Sequence, residues 1–96
     1  MLMKNTGSIH GVCAEERKRK LQNDPLFDKK LKESKYVKCA FSQTGKVSEH
    51  MWVRIIELDD SKRKLKGILD NDPQHLTNVK CGDLVEVKYA EVEQFL

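Results

Sequence analysis

Few residues in this 96-residue chain have types and spacing that could do chemistry. Glu49-His50-Met51-Trp52 sets a carboxylate beside an imidazole, and histidine is the side chain that ordinarily changes charge between pH 5 and 8. Neighbouring residues of a strand point to opposite faces, so the pair would not converge on one substrate atom and reads as a polar strand entry. Asp70-Asn71-Asp72-Pro73 alternates carboxylates with an amide, as a calcium loop does. A calcium hand needs glycine at its sixth position, where His75 stands here, and turn chemistry accounts for the same four residues. His10 and Cys13 have a spacing that zinc sites use, with Cys39, Cys81 or His50 to complete a set, but the remaining ligands are not paired at short spacing. No cysteine sits in a recognisable nucleophile context, and the glycines are scattered singly rather than gathered into a phosphate-binding loop. The expectation is no catalytic residue, no metal and no cofactor.

The strongest non-structural signal is basic. Arg17-Lys18-Arg19-Lys20 is joined by Lys29, Lys30, Lys32 and Lys35. Clustered cations are what contact with phosphates or with an acidic protein surface requires. Aromatic residues are missing from this stretch except Phe27, whose spacing assigns it to the core. Trp52 shares a strand face with Arg54. Outward, the pair could stack on a base or a partner side chain; inward, Trp52 is the largest core residue, and the inward reading is favoured.

Lysine plus arginine number 18 and aspartate plus glutamate 15, a net charge of +3. Residues 1–48 hold eleven basic and five acidic side chains, a net +6, whereas residues 49–96 hold seven and ten, a net −3. No run approaches the roughly 18 apolar residues of a membrane helix, and Met1-Leu2-Met3-Lys4-Asn5 lacks a secretory h-region. Three cysteines without a CxxC pair fit a reducing compartment, so a cytoplasmic location is expected.

One domain, 1–96, must position these residues. Residues 1–11 read as a loose arm and 12–34 as a helical segment. Val12 to Gln22 forms a surface helix in which acids lead and bases follow, with the dipole. Asp24 and Pro25 open a second helix from about Pro25 to Ser34, whose inward stripe is Leu26, Phe27 and Leu31. From Tyr36 the period becomes two. Val37, Cys39 and Phe41 share one face, and His50–Leu58 is apolar on both faces, as in a central strand. A polar turn over 59–64 leads to a strand over 65–69. Residues 70–83 make a loop, and Leu84–Tyr89 is the last clear strand, with Val92, Phe95 and Leu96 packing as a short helical turn. Helices followed by antiparallel strands predict an α+β fold with a curved sheet of four or five strands, with an SH3-like half-barrel as one form of it.

Four blocks then carry a resemblance: Val37-Lys38-Cys39-Ala40-Phe41, Glu49-His50-Met51-Trp52-Val53, Gly67-Ile68-Leu69-Asp70-Asn71-Asp72-Pro73 and Gly82-Asp83-Leu84-Val85-Glu86-Val87. In this order they resemble the bacterial YegJ-like domain of unknown function over roughly residues 35–96. The chain ends in Val92-Glu93-Gln94-Phe95-Leu96, where many relatives carry an aspartate–tryptophan pair. The resemblance implies a bacterial, cytoplasmic origin and brings no established activity. It leaves the helical prefix as the part most particular to this chain.

The expected function is a small non-enzymatic binding module working through protein contacts, such as a regulatory or immunity-type adaptor. Its surface is Arg17, Lys18, Arg19 and Lys20 facing an acidic partner, and Asn71, Asp72 and Pro73 are a second contact. The alternative is a small SH3-like nucleic-acid binder using the same cations with Trp52 and Arg54.

Overall fold

The computed structural model describes residues 15–96. A helix over residues 15–22 (α1) is followed by α2, Phe27–Glu33. Five strands come next: β1 Tyr36–Phe41, β2 Glu49–Asp59, β3 Lys64–Leu69, β4 Leu84–Lys88 and β5 Gln94–Phe95. A short 3-10 turn, Tyr89–Glu91, separates the last two. The strands form one sheet in the order β4-β3-β2-β1-β5, every pair antiparallel. This is the expected α+β fold. The sheet is open, with β4 and β5 as its two edges, and an SH3-like half-barrel is not established by this pairing.

The core lies on one face of the sheet because the strands alternate. Val37 and Cys39 of β1, Met51 and Val53 of β2, Leu65 and Leu69 of β3, and Val87 of β4 are all buried. The register sets Val37, Val53 and Leu69 in one cross-strand row. The helix α2 covers this face with Phe27 and Leu31, one helical turn apart, while Lys29, Lys30 and Lys32 stay exposed. The Phe27 ring also meets Phe95 at 5.4 Å and Tyr89 at 6.3 Å between centroids, so the C-terminal segment packs against α2.

Local chemistry explains the element ends. Asp24 does not cap α2 directly. Its Oδ1 accepts from the Leu26 N–H at 2.8 Å in a turn that precedes the helix, which therefore starts at Phe27, two residues later than the proline pattern predicts. Lys30 Nζ lies 2.6 Å from Asp24 Oδ2; this bond, with the Leu26 N–H, holds the Asp24 carboxyl below its ordinary range. At the other end, Ser34 turns extended and its N–H donates to the Leu31 carbonyl. The first expected helix is observed over 15–22, and its residues 12–14 lie outside the described part.

β2 carries a bulge between Ile55 and Glu57. The bulge shifts the alternation, so that Ile55 and then Leu58 pack on the core while Ile56 is 51% exposed. Opposite it, β3 places Gly67, where a Cβ would press on Val53 Cγ1 and stand 2.6 Å from the Arg54 carbonyl oxygen. The 60–63 turn is closed by Asp59, whose Oδ1 accepts from Ser61 Oγ and the Lys62 N–H. The expected helical turn at the C-terminus instead comes earlier, at Tyr89–Glu91, and the last residues add strand β5 to β1. An extended chain is favoured there because it returns hydrogen bonds to the open edge of β1.

Candidate functional site

β3 ends at Leu69, which leaves the edge of β2 from Glu49 to Trp52 without a neighbouring strand on that side. The loop over 70–83 covers the gap. The Asn71 side-chain oxygen accepts from the Trp52 N–H, in the place a strand carbonyl would take. The Glu49 carboxylate accepts from the N–H groups of Gln74, His75 and Leu76 at 2.8, 2.8 and 2.9 Å. Those three donors hold the Glu49 carboxyl below its ordinary range. Gln43 Oε1 accepts from Thr77 and Asn78 N–H, and Leu76 enters the core. Glu49 and Asn71 are thus occupied in fastening this loop, while Asp72 is exposed and Pro73 half-buried.

Trp52 is not a core residue. Met51 and Val53 take the buried face, so Trp52 lies half-buried on the opposite one, where Lys38 Nζ stands 5.6 Å from its ring centroid. Tyr36, Arg54, Ile68 and Leu84 form the adjoining cross-strand row on that outer face, with Arg54 and Leu84 exposed.

The basic run of α1 does not form a single patch, because consecutive helical residues step about 100° around the axis. Arg17 turns toward the C-terminal strand and donates to Gln94 Oε1 at 3.3 Å. Lys18 and Arg19 line a cleft of about 510 Å³, which Ala40, Ser48, His50 and Glu93 close from the sheet side. Lys20 is exposed. Gln22 fixes the helix beside this cleft by donating to the carbonyls of Tyr89 and Val92, both at 2.8 Å.

His50 therefore has a partner that its own strand does not supply. Its Nδ1 is 2.7 Å from Glu93 Oε1, on the segment leading into β5. The Glu93 side chain is 10% exposed and that of His50 41%. Sequence reasoning missed Glu93: it sits between Val92 and Gln94, and nothing in its neighbours marks it as a buried carboxylate. A signal did exist in His50 itself, a polar residue directly before the apolar run Met51-Trp52-Val53.

Cys39 is buried, and desolvation, reinforced by the charges of Glu93 and Glu91, pushes its thiol up to about 12. It packs as a small apolar side chain and is no nucleophile at neutral pH. Cys81 is exposed. Among the described residues, no three His, Cys, Asp or Glu side chains are grouped to hold a metal ion. His10 and Cys13 lie outside those residues. No described helix is long and apolar enough to cross a membrane.

A second charged cluster is structural. Arg63 donates to both oxygens of Asp28 at 3.2 and 3.0 Å and lies 4.9 Å above the Tyr89 ring. Tyr89 donates to Asp60 at 2.8 Å, and Lys32 meets Asp60 at 3.2 Å. The cluster fastens α2 and the 3-10 turn to the β2–β3 turn.

No curated protein and no solved structure matches the chain. A family model matches residues 13–96, so the helical segment that the resemblance left out lies within the matched span. The family is described as an uncharacterized protein conserved in bacteria (DUF2314), and the chain belongs to it.

Proposed function

We propose that this protein is a non-enzymatic binding module that acts through protein–protein contacts with an acidic partner. The observation that carries this reading is the helix α1. It holds Arg17, Arg19 and Lys20 exposed and Lys18 half-buried, while Leu21 packs on the core and, among the described residues, the side chains of Arg17 and Gln22 hydrogen-bond the C-terminal segment. The buried thiol of Cys39 and the occupied carboxylate of Glu49 weigh against an enzyme built on either group. The bacterial YegJ-like character carried by the four sequence blocks, a cytoplasmic setting and a regulatory or immunity-type role belong to the same reading. So does the exposed Asp72 beside Pro73 as a second contact.

One observation favours a second reading, a nucleic-acid binder. Trp52, Lys38 and Arg54 stand together on the outer face of the sheet, an aromatic between cations, as a stacking platform requires. Capture of partners by the tagged protein from its native cell, with and without nuclease, separates the two. The adaptor reading expects partners that survive nuclease. Loss of every partner with nuclease overturns it in favour of the nucleic-acid reading.

A further inference from the structure

The cleft between α1 and the sheet brings together groups that are far apart in the chain. Lys18 and Arg19 come from α1, Ser48 from just before β2, His50 from its start, and Glu93 from the segment before β5. Four other cations of the protein, Lys30, Lys32, Arg63 and Lys64, already have carboxylate partners. Among the described residues Lys18 and Arg19 have none, although Glu15 and Glu93 border the same cleft. Glu93 is turned to His50 instead, and its main-chain N–H is tied to the Lys38 carbonyl at 2.8 Å. The histidine ring is thereby held through Nδ1, which leaves Nε2 as its remaining hydrogen-bonding atom.

We infer that this cleft receives one carboxylate of the partner, held by Lys18, Arg19 and the Nε2 of His50. The inference rests on the acidic-partner reading and names the atoms that read the acid. Charge favours a carboxylate over a phosphate. The charged groups facing His50 are Glu15, Lys18 and Arg19 on α1 and Glu93 on the C-terminal segment, while Ala40 of β1 and Ser48 are neutral. These four charges cancel, so the cleft is neutral with a neutral histidine and carries one positive charge when His50 binds a proton. A single negative charge is matched by that proton; a dianion is not. Binding is therefore accompanied by proton uptake at His50. Glu93 acts as a positioning residue that orients the ring and compensates the imidazolium. The cleft volume of about 510 Å³ admits an acidic side chain with its flanking backbone.

The test is an NMR titration of the His50 imidazole in the 96-residue protein. The probe is an acetylated, amidated tetraglutamate peptide, with tetraglutamine and inorganic phosphate as the other arms. The expected result is a saturable shift of His50 with tetraglutamate alone, with affinity rising from pH 8 to pH 6. Lys18→Gln and Arg19→Gln each weaken binding about fivefold. Glu93→Gln leaves the cleft with one positive charge before His50 takes a proton, so tetraglutamate binds more tightly at pH 8 and its affinity depends less on pH, a change that a purely structural role would not produce. Tetraglutamate binding with shifts confined to Arg17 and Lys20 overturns the cleft assignment and leaves the acidic-partner reading standing. Phosphate binding as tightly as tetraglutamate overturns the choice of carboxylate. No response of His50 to any arm overturns the inference outright, whatever nuclease-resistant partners the protein retains.

Discussion

Glu49 and His50 are neighbours in sequence and serve opposite ends of the molecule. The Glu49 carboxylate gathers three N–H donors from residues 74–76, while His50 is bonded to Glu93, 43 residues away. Strand alternation divides them: one residue fastens the long loop and the other faces the cleft beside α1.

Removing the Glu49 carboxylate releases the loop before it disturbs the sheet. In Glu49→Ala, the amides of Gln74, His75 and Leu76 lose their acceptor, and their hydrogen exchange accelerates while the β2–β3 amides stay protected. The carboxyl titrates below its unfolded value, so its contribution is present above the ordinary carboxylate range. That contribution disappears as pH falls through the lowered folded value. The wild-type protein therefore loses protection at 74–76 in acid, and Glu49→Ala shows no such pH dependence.

Gly67→Ala destabilises the protein although alanine is the better-ordered residue in most settings. The added methyl meets Val53 Cγ1 and the Arg54 carbonyl oxygen, and the carbonyl belongs to the backbone of the central strand. A cost of about 1–3 kcal/mol is expected, as for other overpacked positions. Urea unfolding measures it, and an unchanged midpoint contradicts the close approach of β2 and β3.

Tyr89 makes the protein sensitive to alkali. Burial and the Asp60 hydrogen bond push its phenol up to about 12. The unfolded tyrosine ionises near its ordinary value of about 10. Stability from this group is thus complete below that value and is lost as pH rises toward the folded one. Tyr89→Phe removes the bond to Asp60 at a cost of about 1 kcal/mol at pH 8. It also flattens the decline between pH 10 and 12 in denaturant midpoints.

Thiol reactivity separates the two described cysteines. Cys81 is exposed and modified at once by a disulfide reagent, whereas Cys39 is buried with its thiol pushed up to about 12. Cys39 reacts only at the rate of unfolding. Rapid modification of Cys39 in the native protein, measured by peptide mass mapping, contradicts its assignment to the core.

The strands were legible because their alternation is a direct consequence of burying one face: Val37, Cys39, Met51, Val53, Val85 and Val87 mark the inner side without outside help. Trp52 lies on the outer face although a large aromatic in a central strand is expected inside, because which face α2 covers with Phe27 and Leu31 is decided by tertiary packing and not by the pattern of β2 alone. The β2 bulge left no composition signal, since Ile55 and Ile56 are equally apolar. Glu93 was invisible because a carboxylate becomes buried only through its tertiary partner, here His50. Arg17, Arg19 and Lys20 of the basic run are exposed while Lys18 is half-buried, and helical geometry divides the run between the cleft and the open surface.

The central claim is that the cations of α1 meet an acidic protein. Its most direct test compares the wild type with a variant in which Arg17, Lys18, Arg19 and Lys20 are all glutamate, after circular dichroism has shown both to be folded. Each is crosslinked in its native cell and its partners are identified after nuclease treatment. The account predicts that the variant loses the nuclease-resistant acidic partners of the wild type. Retention of every such partner by the folded variant contradicts it.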